Sequence, residues 1–348
     1  MNGQPDKVLL VTACGSSIGL EVAKSLRKAE RSERIIGTEV SWWGKQLGDQ
    51  FCDEVIVVPR GDESDYEATI ANIMADHRVD LTFVNTDPEI EALARIRDDL
   101  PSLLTCPTGE ALAACINKKR LHDDLANHDL TARTMEIATE EDLQAALADL
   151  GSPIWLRCAT GPRGHGSIPI ENAADGWFWI EYWARRTQSK QTWLAHEYLP
   201  GRNLNWTAVW HDGELITSCT GERLKYFLAD VAVSGITGNV SHCRIVPGNA
   251  SNEIAAAAVR TVFQRPHGVF SVDLREDEHG GARVTEINAR QAFRPLLYST
   301  SGSNFSSTVA DLFVYGKRPK LPQFDAGEAG WEMIRGMDFE PLFRKLAE

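Results

Sequence analysis

Gly268-Val-Phe-Ser-Val-Asp-Leu-Arg275 and Ala282-Arg-Val-Thr-Glu-Ile-Asn-Ala-Arg290 are two strand-like segments on either side of an acidic, glycine-tipped turn. A hairpin centred on His279-Gly280 places Asp273 directly opposite Glu286. Because side chains alternate along a strand, one face of this hairpin is polar and the other is apolar. The polar face carries Ser271, Asp273, Glu286, Asn288 and Arg290, and the apolar face carries Phe270, Val272, Leu274 and Ile287. The apolar face must therefore belong to the core.

The polar face of the hairpin predicts a metal site. Two carboxylates paired directly across a hairpin repel each other, so a cation is expected between Asp273 and Glu286. Carboxylate and amide oxygens suit Mg2+, which usually binds through one or two carboxylates plus substrate phosphates. Arg290, two residues beyond Asn288, can then reach a phosphate oxygen. A solvated charged face is the alternative, but the strands are otherwise apolar, which favours the metal.

Composition excludes several classes of protein. The 348 residues are 43% hydrophobic and 24% charged, which is typical of a folded globular chain and argues against wholesale disorder. The net charge of −13 and the lack of a basic block argue against a nucleic-acid binder. No stretch approaches the roughly 20 apolar residues of a membrane span. Seven scattered cysteines without a Cys-x-x-Cys pair are typical of a cytoplasmic protein with reduced thiols.

The order of apolar segments indicates an α/β architecture. Strand and helix patterns alternate over the first hundred residues, which predicts a parallel sheet covered on both faces. Helical patterns at 108–130 and 139–150 follow, and then two strands at 154–157 and 167–170. The predicted helix Trp177–Arg186 carries a run of aromatic side chains. They form either a surface for a partner protein or a face that packs against a neighbouring sheet of the same chain, and the second is favoured. From Trp193 onward the pattern is one of antiparallel strands with a terminal helix pair.

Two glycine-rich turns are ambiguous on their own. Cys14–Gly19 cannot be a nucleophile elbow, because too few residues precede it. It fits a dinucleotide-binding turn with Glu39 on a ribose, although no Tyr-x-x-x-Lys pair accompanies it, and it also fits a turn that packs a sheet edge or holds a substrate carboxylate. Gly161–Gly166, between two strands, is either a lid over phosphates or a polar hairpin tip.

Together these motifs resemble the ATP-grasp ligases, in particular the carbamoyl-phosphate synthase large chain and the single-chain carboxylate–amine ligases. The resemblance extends over almost the whole chain and is most specific in Gly268–Arg290. It implies that Asp273, Glu286 and Asn288 hold two Mg2+ ions (with Mn2+ as an alternative) against the phosphates of ATP. It also implies that Arg290 contacts the transferred phosphate.

The resemblance further implies a nucleotide site, since other motifs occur in the family's order. Asn117-Lys118 resembles the Asp-Lys that opens the ATP-binding region, and Arg157 occupies a usual lysine position. His196-Glu197-Tyr198-Leu199-Pro200-Gly201 resembles the adenine hinge, and Asn203 stands where relatives often place an acidic ribose contact. The implied cofactor-binding residues are Lys118, Arg157, Gly161, Arg163, Gly164, His165, Gly166, Glu197, Tyr198, Leu199 and Asn203.

The expected architecture has three parts. Residues 1–108 form a Rossmann-like domain, 109–190 a small lobe with the glycine-rich lid, and 191–348 a large lobe with the metal site and C-terminal helices. This is an α/β fold in which a parallel-sheet domain precedes a two-lobed α+β ATP-grasp fold. The resemblance also implies a homodimer, since proteins of that family commonly form one.

The predicted activity is ATP-dependent ligation of a small-molecule carboxylate to an amine through an acyl phosphate. The predicted catalytic residues are Arg290, Arg223 and Arg294. Arg223 and Lys225, with Arg294 further along the chain, form a basic cluster that is predicted to clamp the substrate carboxylate. Ordinary surface charge is the alternative for that clamp. The competing functions are a phosphotransferase that uses the same ATP site, an NAD(P)-dependent reductase and a non-catalytic ATP-binding scaffold.

Overall fold

A computed structural model of the chain describes residues 7–107, 109, 111–161, 164 and 166–336. Its first sheet has five parallel strands in the order β3-β2-β1-β4-β5. Helices alternate with these strands along the chain. The elements are β1 (Val8–Val11), α1 (Ser17–Lys28), β2 (Arg34–Glu39), α2 (Trp42–Gly48), β3 (Glu54–Val57), α3 (Tyr66–Asp76), β4 (Leu81–Phe83), α4 (Asp87–Arg95) and β5 (Leu103–Leu104). The predicted parallel sheet is confirmed, and its strands are mostly buried because helices cover them.

A second, four-stranded sheet follows two connecting helices, α5 (Leu112–Ile116) and α6 (Lys118–Ala126). Its strands are antiparallel, in the order β6-β9-β7-β8. The elements are β6 (Thr134–Ile137), α7 (Glu140–Leu150), β7 (Ile154–Cys158), β8 (Ile168–Ile170), α8 (Ala173–Thr187) and β9 (Trp193–Glu197). The glycine-rich loop connects β7 and β8, as predicted.

The aromatic run lies on α8 and is divided between two faces. Trp177, Trp179 and Trp183 pack against the core of the four-stranded sheet. Phe178, which is 62% exposed, faces solvent. The preferred interpretation, packing against a neighbouring sheet, is therefore confirmed for the three tryptophans and is wrong for Phe178.

The third sheet has six antiparallel strands in the order β14-β13-β10-β11-β12-β15. Its elements are β10 (Asn203–His211), β11 (Glu214–Tyr226), β12 (Val240–Val246), α9 (Ala250–Val262), β13 (Gly268–Glu276), β14 (Ala282–Asn288), α10 (Pro295–Thr300), α11 (Phe305–Tyr315) and β15 (Glu332–Ile334). The predicted helix pair is α10 and α11. Strand β15 follows them and forms the edge of the sheet next to β12. The last residues of the predicted large lobe, 337–348, lie outside the described residues.

One core joins the first and third sheets. Apolar side chains of β1, α1, β10, β12, α10 and α11 form a single buried cluster. Arg31 strengthens this junction, because its guanidinium binds Glu33 and also Asp311 on α11. The parallel sheet is thus packed onto the six-stranded sheet through helices. No helix in the described part of the chain is long and apolar enough to cross a membrane.

Candidate active site

The β13–β14 hairpin has the predicted register. Asp273 pairs with Glu286, and Val272 pairs with Ile287 on the opposite face, where both are fully buried. Beyond Asp273 the register shifts by one residue, and the Thr285 hydroxyl donates to the Asp273 carbonyl at 3.1 Å. The apolar face is fixed in the core, so the two carboxylates are held on the other face.

The carboxylates line a cavity of about 1000 Å3 that lies where the three sheets meet. Most of the predicted site residues line it too: Lys118, Arg157, Gly161, Gly164, Glu197, Tyr198, Leu199, Asn203, Arg223, Asp273, Glu286, Asn288, Arg290 and Arg294. Gly166 does not line it, and its carbonyl accepts a hydrogen bond from Trp179 at 2.8 Å. Arg163 and His165 lie outside the described residues. The fold therefore brings together residues that are up to 176 positions apart.

Cations neutralise both carboxylates, as electrostatic repulsion requires. Asp273 Oδ1 accepts from Arg223 Nη2 at 2.7 Å and from Asn205 Nδ2 at 2.6 Å. Lys118 Nζ lies 3.9 Å from Glu286 Oε1. Burial disfavours the charge of Arg223, but the neighbouring Asp273 raises the pKa of its guanidinium above the usual value. With Asn288 beside them, these oxygens fit a hard divalent cation.

Arg157 is a buried charge without a carboxylate partner. It lies on β7, is 9% exposed, and forms no ion pair within 4.0 Å among the described residues. Burial lowers the pKa of its guanidinium, while the more distant Glu286 and Asp273 act in the opposite direction. An isolated buried charge is costly unless it is paired, so this wall of the cavity favours an anionic ligand.

Lys118 is the first residue of α6, and its position depends on the helix cap. The side chain of Asn117 accepts hydrogen bonds from the backbone N–H groups of Lys119 and Arg120. Asn and Asp cap helices about equally well, so Asn117 gives α6 the same start that an Asp at this position would give. Lys118 Nζ donates to the Gly161 carbonyl at 3.1 Å, which links it to the glycine-rich loop.

Arg290 is held by the parallel-sheet region. Its Nε and Nη2 donate to the two carboxylate oxygens of Asp87 at 2.8 and 3.3 Å. Burial acts to raise the pKa of Asp87, but Arg290 and Lys118 outweigh it, and the pKa lies below the usual value. Sequence reasoning missed Asp87. The signal was its place at the start of α4, in the connection that follows β4. Strand β4 lies next to β1 at the switch point of the parallel sheet, where ligands usually bind.

Arg294 is also buried, and α1 provides its counter-charge. It forms an ion pair with Glu21, which is itself buried. Its Nε has no hydrogen-bond partner among the described residues. Burial, with Arg335 as a smaller cause, lowers the pKa of the guanidinium to about 9. Lys225, the other member of the predicted clamp, is exposed and does not line the cavity, so this part of the prediction is wrong.

The hinge residues line the cavity with their polar groups already in use. The Glu197 carboxylate accepts from the backbone N–H and the Nε of Arg133, both at 3.1 Å. The Leu199 carbonyl accepts from Arg275 at 2.9 Å. Asn203 donates to the Tyr226 hydroxyl and accepts from Arg223. Asn203 thus belongs to the hydrogen-bond network around Asp273, which it joins through Arg223.

The N-terminal glycine turn is closed on itself. The Glu39 carboxylate accepts from the backbone N–H of Gly15 at 2.9 Å and from that of Val40. A Cβ on Gly15 would lie 2.1 Å from the Gly44 carbonyl oxygen, so α2 packs directly on the turn. Glu39 therefore holds the turn, which argues against the dinucleotide-binding alternative, in which it would hold a ribose.

A second group of potential metal ligands lies away from the cavity. Ligand atoms of His211, Asp212 and His267 are within 4.8 Å of one another at the ends of β10 and β13. The Arg265 guanidinium lies 3.5 Å from Asp212 and competes for its carboxylate. This group is not part of the site.

The chain resembles known proteins in its structure but not in its sequence. No family model matches the sequence, and no curated protein sequence matches it significantly. Solved structures do. The biotin carboxylase domain of Hydrogenobacter thermophilus 2-oxoglutarate carboxylase, solved as a dimer with MgADP and bicarbonate, superposes with a TM-score of 0.72 at 12% identity, covering 95% of this chain and 74% of that one.

Two other solved structures superpose on the chain over a similar length. N5-carboxyaminoimidazole synthetase from Staphylococcus aureus has a TM-score of 0.65 at 15% identity, covering 93% of this chain and 81% of that one. L-amino acid ligase from Bacillus licheniformis has a TM-score of 0.64 at 15% identity, covering 90% and 75%. All three have one architecture. This chain has the ATP-grasp fold. Within that ATP-grasp fold, the acidic hairpin, Lys118 and Arg157 surround one cavity.

Proposed function

We propose that the protein is an ATP-dependent ligase that joins a small-molecule carboxylate to an amine, with release of ADP and orthophosphate. The observation that supports this most strongly is the pairing of Asp273 with Glu286 across the hairpin, on the cavity that also contains the unpaired charge of Arg157. A site with oxygen ligands for divalent cations and buried cationic donors suits a nucleotide triphosphate. The solved neighbours with the same fold are named as carboxylases, a synthetase and a ligase, several in complex with ADP or ATP.

In the first step a carboxylate oxygen attacks the γ-phosphorus of ATP, and the bond to the β-phosphate oxygen breaks. The products are an acyl phosphate and ADP. Phosphoryl transfer asks the protein mainly for positioning and charge neutralisation. Lys118, Arg157 and Arg290 would bind phosphate oxygens from three sides of the cavity. Asp273, Glu286 and Asn288 would hold two Mg2+ ions, which neutralise phosphate charge when bound.

In the second step the amine attacks the acyl carbon and the bond from that carbon to the phosphate oxygen breaks. An amide and orthophosphate form, and the proton lost by the amine nitrogen goes to the phosphate or to solvent. The glycine-rich loop would keep water away from the acyl phosphate, because Gly161 and Gly164 line the cavity. Arg294 suits the clamp for the substrate carboxylate, since it is buried, lines the cavity and has an unused Nε. Arg223, which binds Asp273, would orient that metal ligand and reach the same substrate end.

Three coarser features are part of the same proposal. The regions 1–108, 109–190 and 191–348 would act as the parallel-sheet domain, small lobe and large lobe. A homodimer is proposed because one structural neighbour is a domain dimer. A cytoplasmic location is proposed on the seven cysteines, all of which are free thiols.

Removing either carboxylate tests the metal assignment. Asp273→Asn and Glu286→Gln should each abolish ADP release, by at least about a hundredfold, because each removes a charge that the cations need. Glu278→Gln, an exposed acid in the turn of the same hairpin, is the matched control. Circular dichroism and thermal unfolding check that each variant is folded. Unchanged turnover in both site variants would refute the metal assignment.

The second candidate function is a phosphotransferase that stops at the phosphorylated carboxylate. The same cavity would serve it, but no orthophosphate would be released. Screening pairs of amino acids and other small acids for orthophosphate release identifies the substrates. Equal amounts of ADP and orthophosphate, together with an amide product, support the ligase, whereas ADP with a stable phosphorylated product supports the phosphotransferase.

A further inference from the structure

Two buried histidines surround Arg157, and the proposed chemistry does not use them. His122 on α6 is 3% exposed and His196 on β9 is 4% exposed. Their rings lie 4.5 Å apart, centroid to centroid. Arg157 Nε donates to His196 Nε2 at 3.0 Å, and Nη2 lies 3.2 Å from His122 Nε2. These histidines belong to no zinc motif, and their Nε2 atoms contact the Arg157 guanidinium instead.

The hydrogen bonds fix the protonation of both rings. A guanidinium can only donate, so each Nε2 must accept and each ring must carry its proton on Nδ1. His196 Nδ1 lies 2.7 Å from the Thr134 hydroxyl, and His122 Nδ1 lies 2.5 Å from the Thr131 hydroxyl. Each hydroxyl in turn donates to a backbone carbonyl, Thr134 to Ala132 and Thr131 to Val284. The ring N–H of each histidine and the hydroxyl proton of each threonine therefore have an acceptor.

The surroundings keep both histidines neutral. Burial, followed by the nearby charges of Arg157 and Lys118, lowers the pKa of His122 to about 3. Burial, Arg157, His122 and Lys118 lower the pKa of His196 well below its usual value. The pair contributes hydrogen-bond acceptors but no negative charge.

The network leaves a defined part of Arg157 for a ligand. Its five N–H groups are one on Nε and two on each Nη. Nε binds His196, and Nη2 binds His122 and the Thr285 carbonyl, the latter at 2.9 Å. The two N–H groups of Nη1 form none of these bonds, and Arg157 lines the cavity. A carboxylate in place of either histidine would hold the guanidinium equally well but would cancel its charge.

We propose that His122 and His196 are positioning residues that hold Arg157 with neutral acceptors, so that its guanidinium keeps its full charge for the phosphates of the nucleotide. This inference rests on the proposed function, since it takes a nucleotide to be the ligand of the cavity. It also explains why an arginine can stand where the family has a lysine. A lysine is flexible, whereas the planar guanidinium needs partners on two edges to face one way.

The test compares a neutral with a charged acceptor at one position, in the full-length protein with MgADP as the probe. His196→Gln and His196→Glu have the same length and differ in charge, and both lose the bond to Thr134. Isothermal titration calorimetry should show His196→Gln within about threefold of the wild-type affinity. His196→Glu should bind MgADP at least about tenfold more weakly, which is about 1.4 kcal/mol. His122→Gln and His122→Glu are a second pair, and His279→Glu, at an 85% exposed site, is the charge control.

A double-mutant cycle keeps the test valid if a variant is unstable. In an Arg157→Met background, His196→Glu should cause a much smaller loss of affinity than in the wild-type background, because the histidine acts through the arginine and only direct repulsion by the new carboxylate in the cavity wall remains. A loss of the same size in both backgrounds, or Glu variants that bind as tightly as the Gln variants, would overturn the inference while leaving the proposed function standing. Wild-type protein that does not bind MgADP would overturn both.

Discussion

Arg157 and Arg290 illustrate two ways of holding a cation at one site. Arg157 has neutral imidazole partners, whereas Arg290 has the carboxylate of Asp87. The charge of Arg290 is therefore partly compensated, and its orientation depends on a residue from the parallel-sheet region. The two arginines therefore differ in how much of their charge is left for a ligand of the cavity.

Asp87→Asn should lower turnover by about tenfold with a smaller effect on the KM for ATP. The substitution removes a charge-assisted pair of hydrogen bonds that aligns Arg290, and a loss of about 1.4 kcal/mol in the transition state corresponds to tenfold. Steady-state ADP release measures it. Asp98→Asn, an exposed acid in the same region, is the control. Equal turnover in wild type and Asp87→Asn would show that Arg290 is aligned without this ion pair.

The buried histidines predict a stability that falls in acid. The pKa of His122 is about 3 in the folded chain and about 6.5 when unfolded, so between these values the unfolded chain binds more protons. Its contribution is complete above pH 6.5 and is lost as the pH falls toward 3. Urea unfolding at pH 7, 6, 5 and 4 should show a steeper loss for wild type than for His122→Gln. His279→Gln should parallel wild type, and parallel curves for all three would contradict this.

Among the elements, α6 and the β13–β14 hairpin position the site residues, α6 through its first turn and the hairpin through its buried face. Lys118 takes its position from the first turn of α6, and Asp273 and Glu286 take theirs from a hairpin whose other face is in the core. The element, rather than the side chain, fixes the geometry in both cases.

Asn117→Ala should destabilise the protein by about 1 kcal/mol, because two backbone N–H groups at the start of α6 lose their acceptor. It should also raise the KM for ATP, since Lys118 is the first residue of that turn. Asn117→Asp restores the cap and serves as the conservative control, with stability within a few tenths of a kcal/mol. Chemical denaturation measures the difference. An alanine variant as stable as the aspartate variant would exclude the cap.

Gly15→Ala tests whether the N-terminal turn is a packing device. An added Cβ would meet backbone atoms of Gly44, which cannot move without displacing α2. We expect a destabilisation of about 1–3 kcal/mol, as for other overpacked sites. Ser17→Ala, at an exposed position in the same turn, should stay within about 0.5 kcal/mol. Thermal unfolding distinguishes them, and a Gly15→Ala variant with wild-type stability would show that the turn is not tightly packed.

On the scale of the whole molecule, the four-stranded sheet is a separate unit. Its core consists only of side chains between Ile137 and Ala195, whereas the parallel and six-stranded sheets share one cluster. Units with their own core and few contacts to the rest open independently. Gly161 and Gly164, which line the cavity, follow β7 of this unit in the chain, so the unit contributes one wall of the site.

Hydrogen–deuterium exchange should therefore respond to MgADP unevenly. Peptides from β7, β9 and the loop between β7 and β8 should exchange more slowly with the ligand, because Arg157, Gly161 and Glu197 line the cavity. Peptides from α9, none of whose residues lines the cavity, should not change. A uniform change over all peptides would indicate that the chain responds as one body.

The sequence predicted the fold better than it predicted the site's internal partners. Strand alternation and spacing fixed the pairing of Asp273 with Glu286, and the structure confirmed it. Asp87, His122 and Asn205 gave no comparable signal. Their partners are 203, 35 and 68 positions away, and no local periodicity connects residues so far apart. The predicted roles of the nucleotide and catalytic residues, and the domain boundaries, stay predictions.

Sequence patterns were enough to predict the parallel sheet and the two faces of the acidic hairpin, because both follow from the alternation of side chains within one or two elements. The pairing of the charges was not predictable in this way, because it depends on contacts between distant elements. The tertiary structure placed Arg290 on Asp87, Arg223 on Asp273, and Arg157 between two neutral histidines. The physical reason is that a charge's partner and its solvation are properties of the packed whole, set where three sheets converge.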